Sequence, residues 1–433
     1  MPSSSPRFHD IVIIGAGAAG ITVASQLRAQ APDLDILLIE PSATHHYQPG
    51  WTLVGGGLLP FEETARPQRN CLPLGVTWLQ DQVAELAPEH NQVVTAQGLQ
   101  IRYGQLVVCP GLQINWDKIE GLTEALGRDG VASNYAPQGA PYTWECLQNF
   151  RGGQALFTHP ATPIKCGGAP QKIMYLADDV FQQKSGVGSR TRVSFYSAEG
   201  SLFGVPEYAR VLEGVAERRR IETKFRHNLV ALDGRRREAV FEQKTDQGVE
   251  QVTVAYDFIH VTPPMGAPDF VAQSPLGKAG SGWLEVDLHT LQHLRYENVF
   301  GLGDVAHLPT SKTAAAVRGQ APVVVQNLLA LRRGEAPTAR YDGYTCCPVI
   351  TGYNSAVMAE FNYEKKPISS FYLNPTQERY SMWLAKRYLL PWLYWNRMLK
   401  GAPFEKEILD QWKARLFPDA AETASPLRSP SAP

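Results

Sequence analysis

Near its N-terminus the chain carries a glycine-rich turn between an apolar strand and a helix, and no other segment limits the possible folds as strongly. The strand covers 9–14, the helical stretch covers 21–29, and a second apolar strand over 35–39 ends on an acidic residue. In such a βαβ unit the small residues of the turn let a pyrophosphate reach the helix N-terminus, and the acid accepts hydrogen bonds from ribose hydroxyls. The residues assigned to these contacts are Gly15, Gly17, Ala18, Ala19, Gly20 and Glu40. The segment therefore predicts a dinucleotide-binding Rossmann unit.

The overall composition is that of a nearly neutral globular protein. With 433 residues, 44% of them hydrophobic, the chain is long enough for two or three domains. Its 41 basic and 42 acidic residues nearly cancel, which argues against nucleic acid as a partner. Six scattered cysteines are too few for a disulfide scaffold, and we predict no metal site. The segment 1–6 lacks the features of a secretory signal, and no apolar run approaches the roughly 20 residues that span a bilayer, so we expect an intracellular protein.

A second alternation of strands and helices follows the first unit. Strands are predicted over 155–158, 192–197, 239–242 and 252–261, and helices over 170–183, 206–219 and 314–331. The pattern predicts an α/β fold with two Rossmann-like dinucleotide-binding domains and a C-terminal helical region in contact with a membrane. The predicted divisions are 7–111 with 299–340 for the first domain, 112–298 for the second, 341–418 for the C-terminal region and 419–433 for a disordered tail.

The turn that opens the second domain departs from a nucleotide-binding turn. Prolines and Cys166 occupy the segment 159–170, where a glycine fingerprint for NADH or NADPH normally lies. The helix end is then not offered to a pyrophosphate in the usual way. We therefore expect that the reductant is not a nicotinamide, which counts against an NADH dehydrogenase or a pyridine-nucleotide disulfide reductase.

An acidic residue follows a buried strand late in the chain, at Gly303-Asp304. This placement resembles the disulfide-reductase-like flavoproteins, in which an acid at that point holds the ribityl chain of the cofactor. The resemblance implies FAD rather than NAD. An ordinary helix N-cap is a second interpretation of Asp304, and the two are compatible.

Cys166 has the surroundings of a reactive cysteine. It lies in a glycine-flanked loop just before a helix and directly after Lys165. We expect the helix dipole and Lys165 to lower the thiol pKa and to favour the thiolate. A small buried hydrophobic side chain is the alternative interpretation.

Long motifs run through nearly the whole folded chain. They include PIKCGGAPQKIMY at 163–175, VTPPM at 261–265, LPTSKTAAA at 308–316 and YDGYTCCP at 341–348, with shorter ones at 47–49, 51–55 and 352–354. Together these motifs resemble sulfide:quinone oxidoreductase, in the mitochondrial-like class that is also found in bacteria. They are far more specific than the glycine turn.

The resemblance implies two redox cysteines beside the flavin, bridged by a disulfide or a trisulfide. The motif positions carry these roles onto Cys166 and Cys347. Cys346 stands where the class more often has serine, so either adjacent thiol could serve, and we favour the one directly before Pro348. The resemblance adds Gln48, Val83 and Lys312 to the FAD contacts, although Lys312 alone would read as a solvated lysine at a helix start. Three cysteines match no redox motif and are interpreted as structural: Cys71, Cys109 and Cys146.

The activity implied by the resemblance is oxidation of hydrogen sulfide to a cysteine-bound persulfide. Electrons pass through FAD to a membrane quinone of the ubiquinone type, and the sulfur leaves as polysulfide or on a small acceptor such as glutathione or sulfite. A sulfide dehydrogenase flavoprotein subunit with a cytochrome acceptor is one alternative. A non-catalytic FAD redox sensor is another, and a homodimer is a possible assembly.

The stretch 382–400 combines aromatic, aliphatic and basic residues around a proline. Such a composition suits helices at a lipid headgroup boundary, and it also suits a buried or subunit-contact helix pair. Because the resemblance implies a quinone acceptor, we favour the membrane. The predicted location is peripheral, on the cytoplasmic face of a bacterial inner membrane.

Overall fold

The computed structural model describes residues 7–370 and 373–402. The predicted disordered tail at 419–433 lies outside the described residues, as does 403–418 of the predicted C-terminal region. The helices are α1 (Ala18–Gln30), α2 (Trp51–Gly55), α3 (Leu122–Ala125), α4 (Gly139–Asn149), α5 (Ala169–Gln183), α6 (Pro206–Arg218), α7 (Asp269–Ala272), α8 (Ala314–Arg332), α9 (Tyr380–Leu384) and α10 (Leu390–Asn396).

The first sheet has seven strands. They are β1 (Arg7–Ile14), β2 (Ile36–Ile39), β5 (Thr77–Leu79), β6 (Val83–Ala87), β7 (Gln92–Thr95), β8 (Gln100–Val108) and β19 (Val299–Gly301). The order is β5-β2-β1-β8-β7-β6, and β19 also pairs with β8. β1 runs parallel to β2 and β8, and β19 runs parallel to the second half of β8. Because these strands are parallel, the loops that follow them meet at one edge of the sheet.

The glycine turn at that edge depends on missing side chains. Gly15 has a positive φ of 95°, and a Cβ on it would lie 2.6 Å from the carbonyl oxygen of Cys109. A Cβ on Gly20 would lie 1.9 Å from the carbonyl oxygen of Gly15. The close approach of β1, α1 and the end of β8 therefore requires glycine at both positions.

The second sheet is parallel throughout. Its strands are β10 (Val131–Ala132), β11 (Gly153–His159), β12 (Thr191–Ser197), β13 (Glu222–Phe225) and β17 (Phe258–His260). The order is β10-β17-β11-β12-β13. The parallel strands alternate with α5 and α6, which begin and end within one residue of the predicted helices. The two sheets confirm the predicted α/β fold with two Rossmann-like units.

One predicted strand is wrong. The stretch 252–261 is not continuous but belongs to two strands in different sheets. An antiparallel meander contains β14 (His227–Asp233), β15 (Glu238–Thr245) and β16 (Gly248–Ala255), and the chain then enters β17 of the parallel sheet. The change of sheet occurs at Asp257, whose carboxylate accepts a hydrogen bond from the backbone N–H of Gln154 at 2.8 Å. Apolar residues lie on both sides of Asp257, so the sequence pattern does not reveal this corner.

The C-terminal part places an antiparallel sheet and short helices against both Rossmann-like units. This antiparallel sheet contains β20 (Thr345–Gly352), β21 (Ser355–Phe361) and β22 (Pro367–Ile368). Two small sheets lie elsewhere in the chain: β3 (Thr44–His46) pairs with β4 (Ala65–Pro67), and β9 (Gln113–Ile114) pairs with β18 (Met265–Gly266). A π-helical turn over 385–389 joins α9 to α10. Within 7–370 and 373–402, no helix is long and apolar enough to cross a membrane.

Candidate active site

A cavity of about 460 Å³ lies where the two Rossmann-like units meet the C-terminal part. Its walls come from the glycine turn, from the segments after β2, β8 and β19, from the loop before α5, and from β20 and the C-terminal helices. Most of the predicted site residues line it, namely Gly17, Ala18, Ala19, Glu40, Gln48, Cys166, Gly303, Asp304 and Lys312. Gly15 and Gly20 shape the turn behind this wall. Val83 begins β6 and is not among the lining residues.

The glycine turn is shaped to accept a dinucleotide. A Cβ on Gly17 would meet nothing within 4 Å, so space is open in front of the N-terminus of α1. Glu40 lies at the end of β2, and its two carboxylate oxygens accept hydrogen bonds from the backbone N–H groups of Ala16 (2.9 Å) and Ser42 (2.8 Å). These contacts hold the acid at the mouth of the turn, as a ribose-binding acid requires. The residues present therefore fit the predicted dinucleotide.

Cys166 and Cys347 lie side by side although they are far apart in the chain. Cys166 has a positive φ of 56°, and its backbone N–H donates to the Lys312 carbonyl at 2.8 Å, which ties the loop to the segment before α8. Cys347 lies in β20 and is fully buried. The Cys347 thiol donates a hydrogen bond to the sulfur of Cys166. Both are free thiols in the structure.

The electrostatics of this pair favour a thiolate on Cys166. The hydrogen bond from the Cys347 thiol holds the pKa of Cys166 well below its usual range, and the Lys172 ammonium, with Nζ 3.1 Å from the sulfur, lowers it further. The same contact, together with burial, raises the pKa of Cys347. The predicted direction for Cys166 is confirmed. Of the two predicted causes, the one assigned to Lys165 is wrong, because Lys165 Nζ donates to Gln48 Oε1 at 2.6 Å and the ammonium that lowers the pKa is that of Lys172. The contribution of the helix dipole stays a prediction.

Buried lysines surround the cavity. Burial lowers the pKa of Lys165 and of Lys312 to about 8, and that of Lys386 to about 7. Lys312 Nζ donates to the carbonyls of Asp304 (2.6 Å) and Ala306 (3.0 Å). Burial raises the pKa of the Asp304 carboxyl, against the opposing field of Lys312. Since each of these cations is poorly solvated, the cavity favours anionic ligands.

A polar network lines the C-terminal side of the cavity. The Tyr344 hydroxyl donates to Glu360 Oε1 at 2.6 Å, and the backbone N–H of Ser370 donates to Glu360 Oε2 at 2.7 Å. The Arg318 guanidinium donates to the same Tyr344 hydroxyl. Glu360 is only 1% exposed, and these hydrogen bonds satisfy both oxygens of its buried carboxyl group. Leu390 and Tyr394 of α10 complete this wall with apolar and aromatic surface.

Comparison with known proteins places the chain in a family. Residues 9–138 match the family model described as pyridine nucleotide-disulphide oxidoreductase. The chain is 42% identical over 398 residues to the mitochondrial sulfide:quinone oxidoreductase of Mus musculus, covering 92% of this chain and 88% of the relative. The corresponding protein of Dictyostelium discoideum is 45% identical over 401 residues, with the same coverage. The chain belongs to the sulfide:quinone oxidoreductase family.

The fold comparison agrees with this family. The crystal structure of the sulfide:quinone oxidoreductase from Aquifex aeolicus matches with a TM-score of 0.78 and 20% identity, covering 95% of each chain. Sulfide:quinone oxidoreductases bind FAD, and the turn and acid described above are the parts of this chain that would hold its pyrophosphate and ribose. Lys165, Gln48 and Asp304 line the next part of the same cavity, toward Cys166.

Sequence reasoning missed several residues of the site. Lys172 and Lys386 are buried beside the cysteines, and Asn134, Tyr135 and His260 line the wall next to Cys166. Lys172 falls inside the motif at 163–175, six residues after the cysteine, so the motif itself contained the signal. The other four have no such local signal, because the fold brings them to the cavity from three separate segments.

Cys109 also lines the cavity, but its surroundings suit an inert thiol. It follows β8, is 4% exposed and donates weakly to the Gly15 carbonyl, with 3.7 Å between sulfur and oxygen. Burial raises its pKa well above the usual value. A protonated thiol is a poor nucleophile, so the structural interpretation of Cys109 stands.

Proposed function

We propose that this chain oxidises hydrogen sulfide through the Cys166–Cys347 pair and passes the electrons through FAD to a quinone. The observation that carries the proposal is the contact of Cys166 with the buried Cys347 and with Lys172, because Cys166 and Lys172 line a cavity built for a dinucleotide. We also propose that segments 7–111 and 299–340 form the FAD-binding domain, because both contribute strands to the first sheet.

In the proposed reaction the oxidised cysteines share a sulfur bridge, and hydrosulfide attacks it at the Cys347 side. A new bond forms between the sulfide sulfur and Cys347, the bridge breaks, and Cys166 leaves as a thiolate. The low pKa of Cys166 makes it the better leaving group, and Lys172 neutralises the charge it acquires.

The persulfide sulfur then moves to an acceptor. A nucleophile such as a second hydrosulfide, sulfite or glutathione attacks the outer sulfur, and Cys347 is released as a thiolate. When the two thiolates re-form their bridge, they give up two electrons. When bound, FAD would supply a two-electron acceptor for these electrons and a route from it to a quinone.

The quinone is proposed to approach from the C-terminal side of the cavity. Neighbouring residues on a strand point to opposite faces, so Cys346 and Pro348 face the cavity, whereas Cys347 packs into the hydrophobic core between β20 and the second Rossmann-like unit. Tyr344 and Lys386 are polar groups on this side that can donate hydrogen bonds to quinone oxygens, and Glu360 accepts from the Tyr344 hydroxyl. Leu390 and Tyr394 offer apolar contact for the ring.

The experiment that tests the function is anaerobic reduction of the holoenzyme. We expect sulfide to bleach the flavin absorbance band within seconds, NADH to leave it unchanged, and a soluble quinone to restore it. NADH is expected to fail because Cys166 and the prolines occupy the loop between β11 and α5. Bleaching by NADH but not by sulfide would overturn the proposal. If sulfide bleaches the flavin and the band returns with a cytochrome but not with a quinone, the electron acceptor is a cytochrome.

Peripheral membrane contact is proposed for the helices that flank the quinone side. Five large side chains are exposed there: Tyr380 (56%), Leu384 (37%), Tyr388 (58%), Leu389 (40%) and Trp392 (55%). Arg387 lies next to them, its guanidinium 4.9 Å from the Tyr388 ring centroid. Exposed aromatic and aliphatic groups with a nearby cation suit a headgroup boundary. We propose the quinone-containing membrane of a bacterium, on its cytoplasmic face, as the membrane concerned.

The double variant Tyr388→Asp with Trp392→Asp is expected to lower binding to vesicles of phosphatidylcholine and phosphatidylglycerol at least tenfold. The variant removes two aromatic side chains that would contact the lipid and places two carboxylates at the headgroup boundary, where they weaken binding. Co-sedimentation measures the change, and Phe8→Asp is the matched control because Phe8 is 62% exposed on β1. Equal losses in the control, or none in the double variant, would contradict the proposed surface.

A further inference from the structure

We infer that His45 is a positioning residue for the quinone half of the reaction: its imidazole joins the glycine turn to Tyr394 and fixes α10 as a wall of the cavity. The inference rests on the proposed function, because it states what holds the surface that a quinone would contact. His45, Tyr394 and Ala16 of the turn all line the cavity.

The imidazole of His45 lies between two polar groups from distant parts of the chain. His45 belongs to β3 and is 3% exposed. Its Nδ1 is 3.2 Å from the Ala16 carbonyl oxygen, and its Nε2 is 2.6 Å from the Tyr394 hydroxyl oxygen. A carbonyl group can only accept, so the neutral ring carries its proton on Nδ1 and donates it to Ala16. Nε2 then accepts a hydrogen bond from the Tyr394 hydroxyl.

The protonation states of the two side chains keep both hydrogen bonds in these directions. Burial lowers the pKa of His45 to about 4, so the ring is neutral at physiological pH. Burial also raises the pKa of the Tyr394 hydroxyl well above its ordinary value, so the hydroxyl keeps its proton. That proton is committed to His45. Tyr394 therefore serves the cavity as a fixed ring rather than as a proton donor.

The faces of the Tyr394 ring are held as well. The His45 and Tyr394 rings stack, with centroids 5.9 Å apart and an interplanar angle of 23°, and the Tyr47 ring centroid is 4.7 Å from that of Tyr394. The next residue, Trp395, packs edge-on to His45 at 5.7 Å and accepts the Arg66 guanidinium 4.0 Å above its ring. The C-terminal half of α10 is thus packed against β3 and β4.

α10 requires such contacts because it is short. A helix of 7 residues is marginal on its own, and one side of α10 belongs to the exposed surface described above. Before the helix, Lys386 Nζ donates to the Pro49 carbonyl at 2.9 Å. After it, the Ser25 hydroxyl donates to the Leu399 carbonyl at 2.7 Å. Of these three polar contacts, the one made by His45 lies on α10 itself.

Loss of this contact should affect one half of the reaction. Leu390 and Tyr394 carry α10 into the cavity wall on the side proposed for the quinone. The cysteine pair is held by other elements, the loop before α5 and β20, and Cys166 is hydrogen-bonded to Lys172 and to the Lys312 carbonyl. A shift of α10 would therefore change quinone binding but not the attack of hydrosulfide on the sulfur bridge.

The test is His45→Leu in the holoenzyme, with steady-state turnover at varied decylubiquinone. We expect the half-saturating quinone concentration to rise at least about tenfold and the limiting rate to fall less than about threefold. The rate of flavin reduction by sulfide in stopped flow should stay within about twofold. His45→Gln should recover most of the loss, because an amide offers a donor to Ala16 and an acceptor to Tyr394. Since glutamine and leucine are similar in size, the difference between the variants measures the hydrogen bonds rather than the filling of space.

Tyr394→Phe removes the same hydrogen bond from the other partner and covers the case in which His45→Leu does not fold. It should also raise the half-saturating quinone concentration, and the double variant should be no worse than His45→Leu, because both changes remove one contact. His293→Leu is the matched control. His293 is likewise 3% exposed with both ring nitrogens hydrogen-bonded, but it does not line the cavity.

An unchanged half-saturating quinone concentration in His45→Leu and Tyr394→Phe overturns the inference, and so does an equal rise for sulfide. Loss of FAD, with unchanged quinone saturation in the protein that retains it, overturns it by assigning His45 to the flavin. If a quinone does not reoxidise the unaltered protein, the proposed function fails. Hydrogen–deuterium exchange of the α10 amides then still tests whether His45 fixes the helix: faster exchange in His45→Leu than in His293→Leu supports this role, and equal exchange overturns it.

Discussion

Replacing Cys166 or Cys347 with serine is expected to slow flavin reduction by sulfide at least about 10³-fold, because neither variant can form the sulfur bridge that hydrosulfide attacks. The two losses should be equal to each other and to that of the double variant, since the thiols act as one unit. Anaerobic stopped-flow measurement of the flavin band gives these rates. FAD content should be unchanged, because neither cysteine belongs to the glycine turn or to the segment that carries Glu40.

Two further cysteines serve as controls for this result. Cys146 lies on α4 outside the cavity, so Cys146→Ser should leave the rate of flavin reduction by sulfide unchanged. Cys346→Ser should retain most of the rate, because the side chain faces the cavity on the opposite side of β20 from Cys347. A loss in Cys346→Ser as large as that in Cys347→Ser would show that the adjacent thiol carries the reaction.

The first Rossmann unit could be predicted from the sequence because its signals are local, whereas the roles given to Cys166 and Cys347 rest on motifs whose family resemblance implies them. A strand, three glycines, a helix and a terminal acid follow one another within about thirty residues, as the βαβ unit demands. The motifs around Cys166 and Cys347 are long enough to be recognised separately. Their closeness depends on the contact between α5 and β20, which no local pattern contains.

The remaining parts could not be predicted because they depend on loop conformation and on contacts between distant segments. Lys165 is nearer to Cys166 in sequence, but its ammonium donates to Gln48 instead. The loop at this point has Cys166 in a left-handed conformation, with its backbone N–H hydrogen-bonded to the Lys312 carbonyl. Lys172 reaches the sulfur from the second turn of α5. The corner at Asp257 was likewise hidden, because apolar residues continue on both sides of it.

Lys172→Met is expected to shift the pH dependence of flavin reduction by sulfide toward higher pH. Burial opposes the charge of Lys172, but the Cys166 thiolate holds the Lys172 pKa above its ordinary value. The ammonium in turn lowers the pKa of Cys166, together with the hydrogen bond from Cys347. Without the ammonium the Cys166 pKa rises. Cys166 is then a poorer leaving group when hydrosulfide attacks the bridge, and the freed thiol is ionised only at higher pH.

The expected deficit relative to the unaltered protein is about 10- to 100-fold at pH 7, and it should shrink as the pH rises. The rate of the variant is divided by the rate of the unaltered protein at the same pH. The effect of sulfide ionisation cancels in this ratio, because it is the same for both proteins. Alkylation of the reduced protein by iodoacetamide, followed at Cys166 by mass spectrometry, measures the thiolate directly and should show the same shift. Lys244→Met, at an exposed position on β15, is the matched control. A deficit that stays constant with pH, with unchanged alkylation of Cys166, would mean that Lys172 acts on the bridge only by packing and not through its charge.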